Sequence, residues 1–75
     1  MTNQVVIKVV DAHLVEAYGF VDPDTANEVV GTLLNFAGSY NVTFGQVNRA
    51  IYQTYANAPL AYKTARKIYM DVMPA

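Results

Sequence analysis

The sequence predicts an all-α fold, a small bundle of about four short helices. Three observations predict it: helix-start signals recur along the chain, apolar residues between them follow helical spacing, and a strand at the amino end would have no free second strand to pair with. No stretch is rich enough in Pro, Gly or Ser to be a linker, so we assign residues 1–75 to a single helical domain.

The first helix is predicted at about residues 4–20, because apolar positions there are separated by three or four residues. A strand over residues 4–10 stays open as the alternative, since five of the six residues at positions 5–10 are β-branched. Such a strand would have to pair with the same segment of another subunit. The helical stripe consists of Ile7, Val10, Leu14, Ala17 and Val21.

The second helix is predicted at about residues 23–37. Asp22 supplies a cap, Pro23 suits the first helical position, and Asp24 places a carboxylate in the positive first turn. Gly38 can take the left-handed conformation that ends a helix. The predicted buried face consists of Ala26, Val29, Val30, Leu33 and Ala37.

The third helix is predicted at about residues 43–56, because Thr43 and Gln46 fit the capping-box pattern and Val42 and Val47 fit a hydrophobic staple across it. The fourth helix is predicted at about residues 59–73, opened by Pro59. Its buried stripe is predicted to be Ala61, Ala65, Ile68 and Val72.

The composition predicts a protein that associates with other protein. Hydrophobic residues make up 53% of the chain and charged residues 15%, against about 25% charged residues in typical globular chains. A folded chain of this mass exposes roughly 4,600 Å² and buries only about 60% of its surface, so we expect a partner to cover some apolar side chains. The expected function is a non-catalytic interaction domain that forms a homo-oligomer, as an adaptor or a structural subunit.

The last helix carries the predicted interface. Four of its residues are separated by four, three and four positions, so they share one face that is distinct from the buried stripe. Tyr, Arg and Met are enriched where proteins meet. The candidate interface residues are Tyr62, Arg66, Tyr69 and Met73.

Catalytic and cofactor chemistry finds little support in the sequence. His13 has Asp11 and Glu16 nearby, but a zinc site needs three or four ligands and the chain has no second histidine and no cysteine. Ser39 does not stand in a Gly-x-Ser-x-Gly nucleophile motif. We therefore expect no enzyme activity, no cofactor and no metal.

The charges of the chain are segregated along the sequence. The first forty residues carry five acids and one base, a net charge of −4, whereas the remainder carries four bases and one acid, a net charge of +3. Such a distribution could serve docking between subunits or form a basic surface for phosphate, and its simplest interpretation is a solvent-exposed charged face on the last helix.

Neither a membrane span nor a secretion signal is expected. Lys8 and Asp11 interrupt the longest apolar runs, and the start Met-Thr-Asn-Gln has no basic residue. The expected location is the cytoplasm, with no membrane partner.

Nucleic acid is the alternative partner. The segment from Leu33 to Gly38, followed by a turn and residues 43–49, resembles the helix-turn-helix pattern. That resemblance implies that residues 43–57 form a recognition helix in the DNA major groove. A net charge of −1 reduces the non-specific attraction to DNA, which makes this partner the second choice. The candidate contacts are Thr43, Gln46, Asn48, Arg49 and Gln53, with Lys63 and Lys67.

Overall fold

Four helices account for all regular structure in the computed structural model, which describes residues 2–35 and 40–73. They are α1 (Asn3–Tyr18), α2 (Pro23–Asn35), α3 (Tyr40–Tyr55) and α4 (Ala58–Val72). Each helix packs against the next, and α4 packs back against α1, so the four helices close around one core. The predicted all-α bundle is confirmed.

The core consists of one apolar stripe from each helix. The chain exposes 4557 Å², which agrees with the roughly 4,600 Å² predicted from its mass. In α4 all four residues of the predicted stripe are buried, and in α2 three of the four that the structure describes are buried. The buried hydrophobic residues are Val6, Val10, Leu14, Ala26, Val29, Leu33, Val47, Ala50, Ile51, Ala61, Ala65, Ile68 and Val72.

The first helix forms over residues 3–18, so the alternative of a strand over residues 4–10 is wrong. Its buried stripe advances by four residues, through Val6, Val10 and Leu14, and these side chains meet the core only on a helix. Ile7, which the sequence placed in the stripe, is partly exposed. Gly19 ends α1 at φ +85°, with its N–H donating to the Val15 carbonyl at 2.8 Å.

The second helix begins at Pro23, as predicted. The Asp22 carboxylate accepts hydrogen bonds from the Thr25 N–H at 3.0 Å and from the Thr25 hydroxyl at 2.9 Å, which is the geometry of an N-cap. The predicted end of this helix at Ala37, with Gly38 as its cap, lies outside the described residues.

The third helix includes Tyr40, so its predicted start at Thr43 is wrong. Thr43 is 1% exposed inside the helix, and Val42, half of the predicted staple, is 48% exposed. The Tyr40 ring packs against Phe44 and Tyr69, and these contacts stabilise an additional turn at the amino end of the helix. The capping pattern around Thr43 carries no information about that turn.

The fourth helix begins at Ala58, one residue before the predicted start. The Asn57 side chain accepts from the Leu60 N–H at 3.3 Å and caps the helix, and Pro59 occupies its first turn. Met73 follows the last helical residue, and its N–H donates to the Tyr69 carbonyl.

Contacts between α1 and α4 show that these two helices run antiparallel. Moving along α1 from His13 to Glu16, the α4 partner changes from Asp71 back to Lys67. Because each helix contacts the next and α4 contacts α1, the α1·α2 and α3·α4 pairs form opposite sides of the bundle, with the acidic half of the sequence on one side and the basic half on the other.

Candidate interaction surface

Four aromatic rings form a continuous surface over α3 and α4, which we call the aromatic face. The rings of Tyr40 and Phe44 stack with centroids 5.6 Å apart. Tyr69 meets Tyr40 edge-on at 4.8 Å, and Tyr62 meets Phe44 edge-on at 5.1 Å. Edge-to-face and offset contacts are the favoured arrangements of aromatic pairs, so the rings hold one another in place.

The aromatic face has an inner and an outer part. Phe44 and Tyr69 are half-buried and pack against the core, whereas Tyr40 is 52% and Tyr62 is 50% exposed. Single exposed hydrophobic side chains are common on soluble proteins, so the feature that distinguishes this face is that each of its two exposed rings contacts a half-buried one.

The residues of the predicted interface have different environments. Tyr62 and Arg66 are exposed, and Arg66 has no ion-pair partner within residues 2–35 and 40–73. Tyr69 and Met73 are half-buried against the core, so part of the face assigned to a partner already packs within the chain.

Tyr40 and Phe44 belong to the aromatic face, but they were not among the predicted interface residues. Their i, i+4 spacing was visible in the sequence. The predicted start of α3 at residue 43 leaves Tyr40 in a turn, where this spacing does not place the two rings on one helical face.

A groove lies between α1 and α2, on the side of the bundle opposite the aromatic face; we call it the α1–α2 groove. Its volume is about 330 Å³. Asp11 is the charged residue of its lining and forms no ion pair with any other described residue. The lining includes Ile7, Asp11, Val21, Asn27 and Val30.

The predicted nucleic-acid residues are divided between two sides of the bundle. Gln46, Arg49 and Gln53 line one groove between α2 and α3, together with Glu28. Thr43 is buried, and Asn48 is half-buried and does not line that groove.

Lys63 and Lys67 line a different cleft, between α1 and α4. The Lys67 ammonium lies 3.5 Å from a Glu16 carboxylate oxygen. The structure therefore does not combine the seven candidates into one basic surface.

His13 lies in the cleft between α1 and α4. Its Nε2 lies 2.7 Å from Asp71 Oδ2, a partner that the sequence did not predict, while the expected neighbour Glu16 contacts Lys67 instead. Within the described ranges, no three His, Asp or Glu side chains come together in a way that would hold a metal ion.

None of the helices in the described residues has the length and apolar character needed to cross a bilayer. Comparisons of the chain with protein-family models, with curated proteins and with solved structures give no significant match.

Proposed function

We propose that the chain is a non-catalytic interaction module, an adaptor or a structural subunit, that binds other copies of itself through the aromatic face. The observation that carries the proposal is the row of four contacting rings on α3 and α4, whose outer members Tyr40 and Tyr62 are half exposed. Arg66, exposed and unpaired on the same side of α4, adds a further residue type that is enriched in interfaces.

The charge distribution supports a second copy as the partner. The α1·α2 side of each molecule belongs to the half of the sequence with net charge −4, and the α3·α4 side belongs to the half with net charge +3. Two identical molecules therefore attract one another when unlike sides approach, and added salt weakens that attraction.

The test is the molar mass in solution, measured by light scattering or sedimentation over the micromolar range. Wild-type protein is expected to give a mass above 8.3 kDa that rises with concentration. Tyr62→Glu is expected to lower it to the monomer value, because a buried carboxylate in an aromatic contact is strongly unfavourable.

Tyr52→Glu is the matched control. Tyr52 is also 50% exposed, but it lies on α3 outside the aromatic face and makes no ring contact within the described residues. This variant is expected to associate like wild type. A wild-type protein that stays monomeric throughout the range overturns the proposal. Tyr69→Glu is less informative, since Tyr69 also packs on the core.

Binding to duplex DNA is the second candidate, supported by the row of Gln46, Arg49 and Gln53 along α3. Such side chains bind base edges, with Arg preferring guanine and Gln preferring adenine. A duplex mobility shift at low salt, lost in Arg49→Ala and kept in Lys8→Ala, supports this candidate. Absence of any shift at about 50 mM salt contradicts it.

A further inference from the structure

We propose that the α1–α2 groove of one molecule receives the aromatic face of the next, so that copies of this chain associate head-to-tail. This inference rests on the self-association proposed above and specifies its geometry. The two surfaces lie on opposite sides of the bundle, so each molecule presents one of each.

The two surfaces are chemically complementary. The groove combines apolar contributions from Ile7, Val21 and Val30 with one carboxylate, Asp11, whereas the opposite side combines aromatic rings with one guanidinium, Arg66. Each of these two charges has no ion-pair partner among the residues that the structure describes. Docking of aromatic rings against the groove therefore brings an unpaired cation to an unpaired anion.

The size of the groove also fits a protein partner. A volume of about 330 Å³ is at the lower limit of the range of about 300 to 1,000 Å³ that is usual for small-molecule sites. A standard interface covers about 800 Å² on each partner, less than a fifth of the 4557 Å² that this molecule exposes. Two opposite sides can therefore both be occupied without overlapping.

A symmetric contact between two aromatic faces is the competing geometry. It brings two Arg66 side chains to the same interface, leaves both grooves open, and ends at a dimer. Head-to-tail association instead continues until a ring closes or a chain of copies grows. The two geometries differ in their dependence on Asp11, which takes part only in the head-to-tail contact.

The experiment uses charge reversal at the two surfaces. Asp11→Arg places two cations against each other in the head-to-tail contact, and Arg66→Asp places two anions there. Each variant alone is expected to weaken association at least about tenfold, because like charges face each other in a contact. An equimolar mixture restores opposite charges at every contact between the two variants, so its mass is expected to return to the wild-type value.

Recovery in the mixture supports the inference, because it requires residue 11 of one molecule to face residue 66 of another, which does not happen in a symmetric contact between two aromatic faces. If Asp11→Arg associates like wild type while Arg66→Asp and Tyr62→Glu do not, the head-to-tail geometry is overturned and the proposed self-association stands. If wild-type protein is monomeric, both are overturned.

Circular dichroism checks that each variant is folded. Should Asp11→Arg prove unfolded, Asn27→Arg adds a cation beside Asp11 at an exposed position of the groove. It is expected to weaken association in the same direction but by less, and association like that of wild type would overturn the head-to-tail geometry.

Discussion

The rings of Tyr18 and Tyr55 stack with their centroids 4.2 Å apart and their planes 14° from parallel. Their hydroxyl groups have opposite environments. The Tyr55 hydroxyl donates to the Phe20 carbonyl at 3.0 Å and accepts from the Asp22 N–H at 2.7 Å, which fixes the α1–α2 connection to the end of α3. The Tyr18 hydroxyl is buried without a hydrogen bond of good geometry among the described residues.

This difference predicts that replacing tyrosine by phenylalanine changes the free energy of unfolding differently at the two positions. Tyr55→Phe is expected to lower the free energy of unfolding by about 1 to 2 kcal/mol, because it leaves a backbone donor and a backbone acceptor without their partner. Tyr18→Phe keeps the stacked ring and removes a poorly satisfied hydroxyl, so stability should be unchanged or rise by about 1 kcal/mol. Urea titrations of both variants measure the difference, and an equal loss in the two would contradict it.

Alkaline pH should destabilise the protein through Tyr18. Burial raises the pKa of Tyr18 above its usual value of 10.0, an effect that the Thr64 side chain partly opposes and the neighbouring Tyr55 reinforces. A folded-state pKa above the unfolded one means that the contribution of this group to stability is complete below about pH 10 and is lost as pH rises through the folded-state pKa.

The melting temperature of wild type should therefore fall above about pH 10, and it should fall less steeply in Tyr18→Phe, which has no group to ionise there. Tyr52→Phe, at an exposed tyrosine, is the control and should retain the wild-type slope. Identical slopes for wild type and Tyr18→Phe would show that this hydroxyl does not govern the alkaline loss.

The residues directly after α1 and α3 both have left-handed backbone conformations, and substitutions at these two positions should have opposite effects on stability. Gly19 has φ +85° and Ala56 has φ +58°. Gly19→Ala should cost about 1 kcal/mol, because a Cβ atom is strained in this conformation, and Ala56→Gly should relieve a similar strain. Thermal unfolding of both variants tests this, and destabilisation by Ala56→Gly would contradict it.

The sequence predicted most helix positions because their signals are local. The Asp22 cap and Pro23 act within one turn, and the α4 stripe follows from the spacing of Ala61, Ala65 and Ile68. The start of α3 depends instead on a contact between Tyr40 and Tyr69, which are 29 positions apart in the chain. No local pattern encodes such a contact.

The candidate surfaces were predictable only in part, for a related reason. Tyr62 and Arg66 could be placed on one face of α4 by counting residues, but the contribution of α3 to that face requires knowing which helices are neighbours. The α1–α2 groove was missed because Ile7, Asp11 and Val30 share a surface only after two helices pack together. Pairing of His13 with Asp71 likewise joins opposite ends of the sequence.

The start of α2 offers a comparison between two carboxylates two residues apart. Asp22 accepts two hydrogen bonds from Thr25, whereas Asp24 is exposed and makes no hydrogen bond among the described residues. Asp22→Ala should therefore lower the free energy of unfolding by about 1 to 2 kcal/mol, and Asp24→Ala by about 0.5 kcal/mol through the lost interaction with the helix dipole. Asp22→Asn retains a capping oxygen and should recover most of the loss. Chemical denaturation measures the free energy of unfolding of the three variants. If Asp24→Ala proves as unstable as Asp22→Ala, the negative charge rather than the capping hydrogen bonds stabilises the first turn of α2.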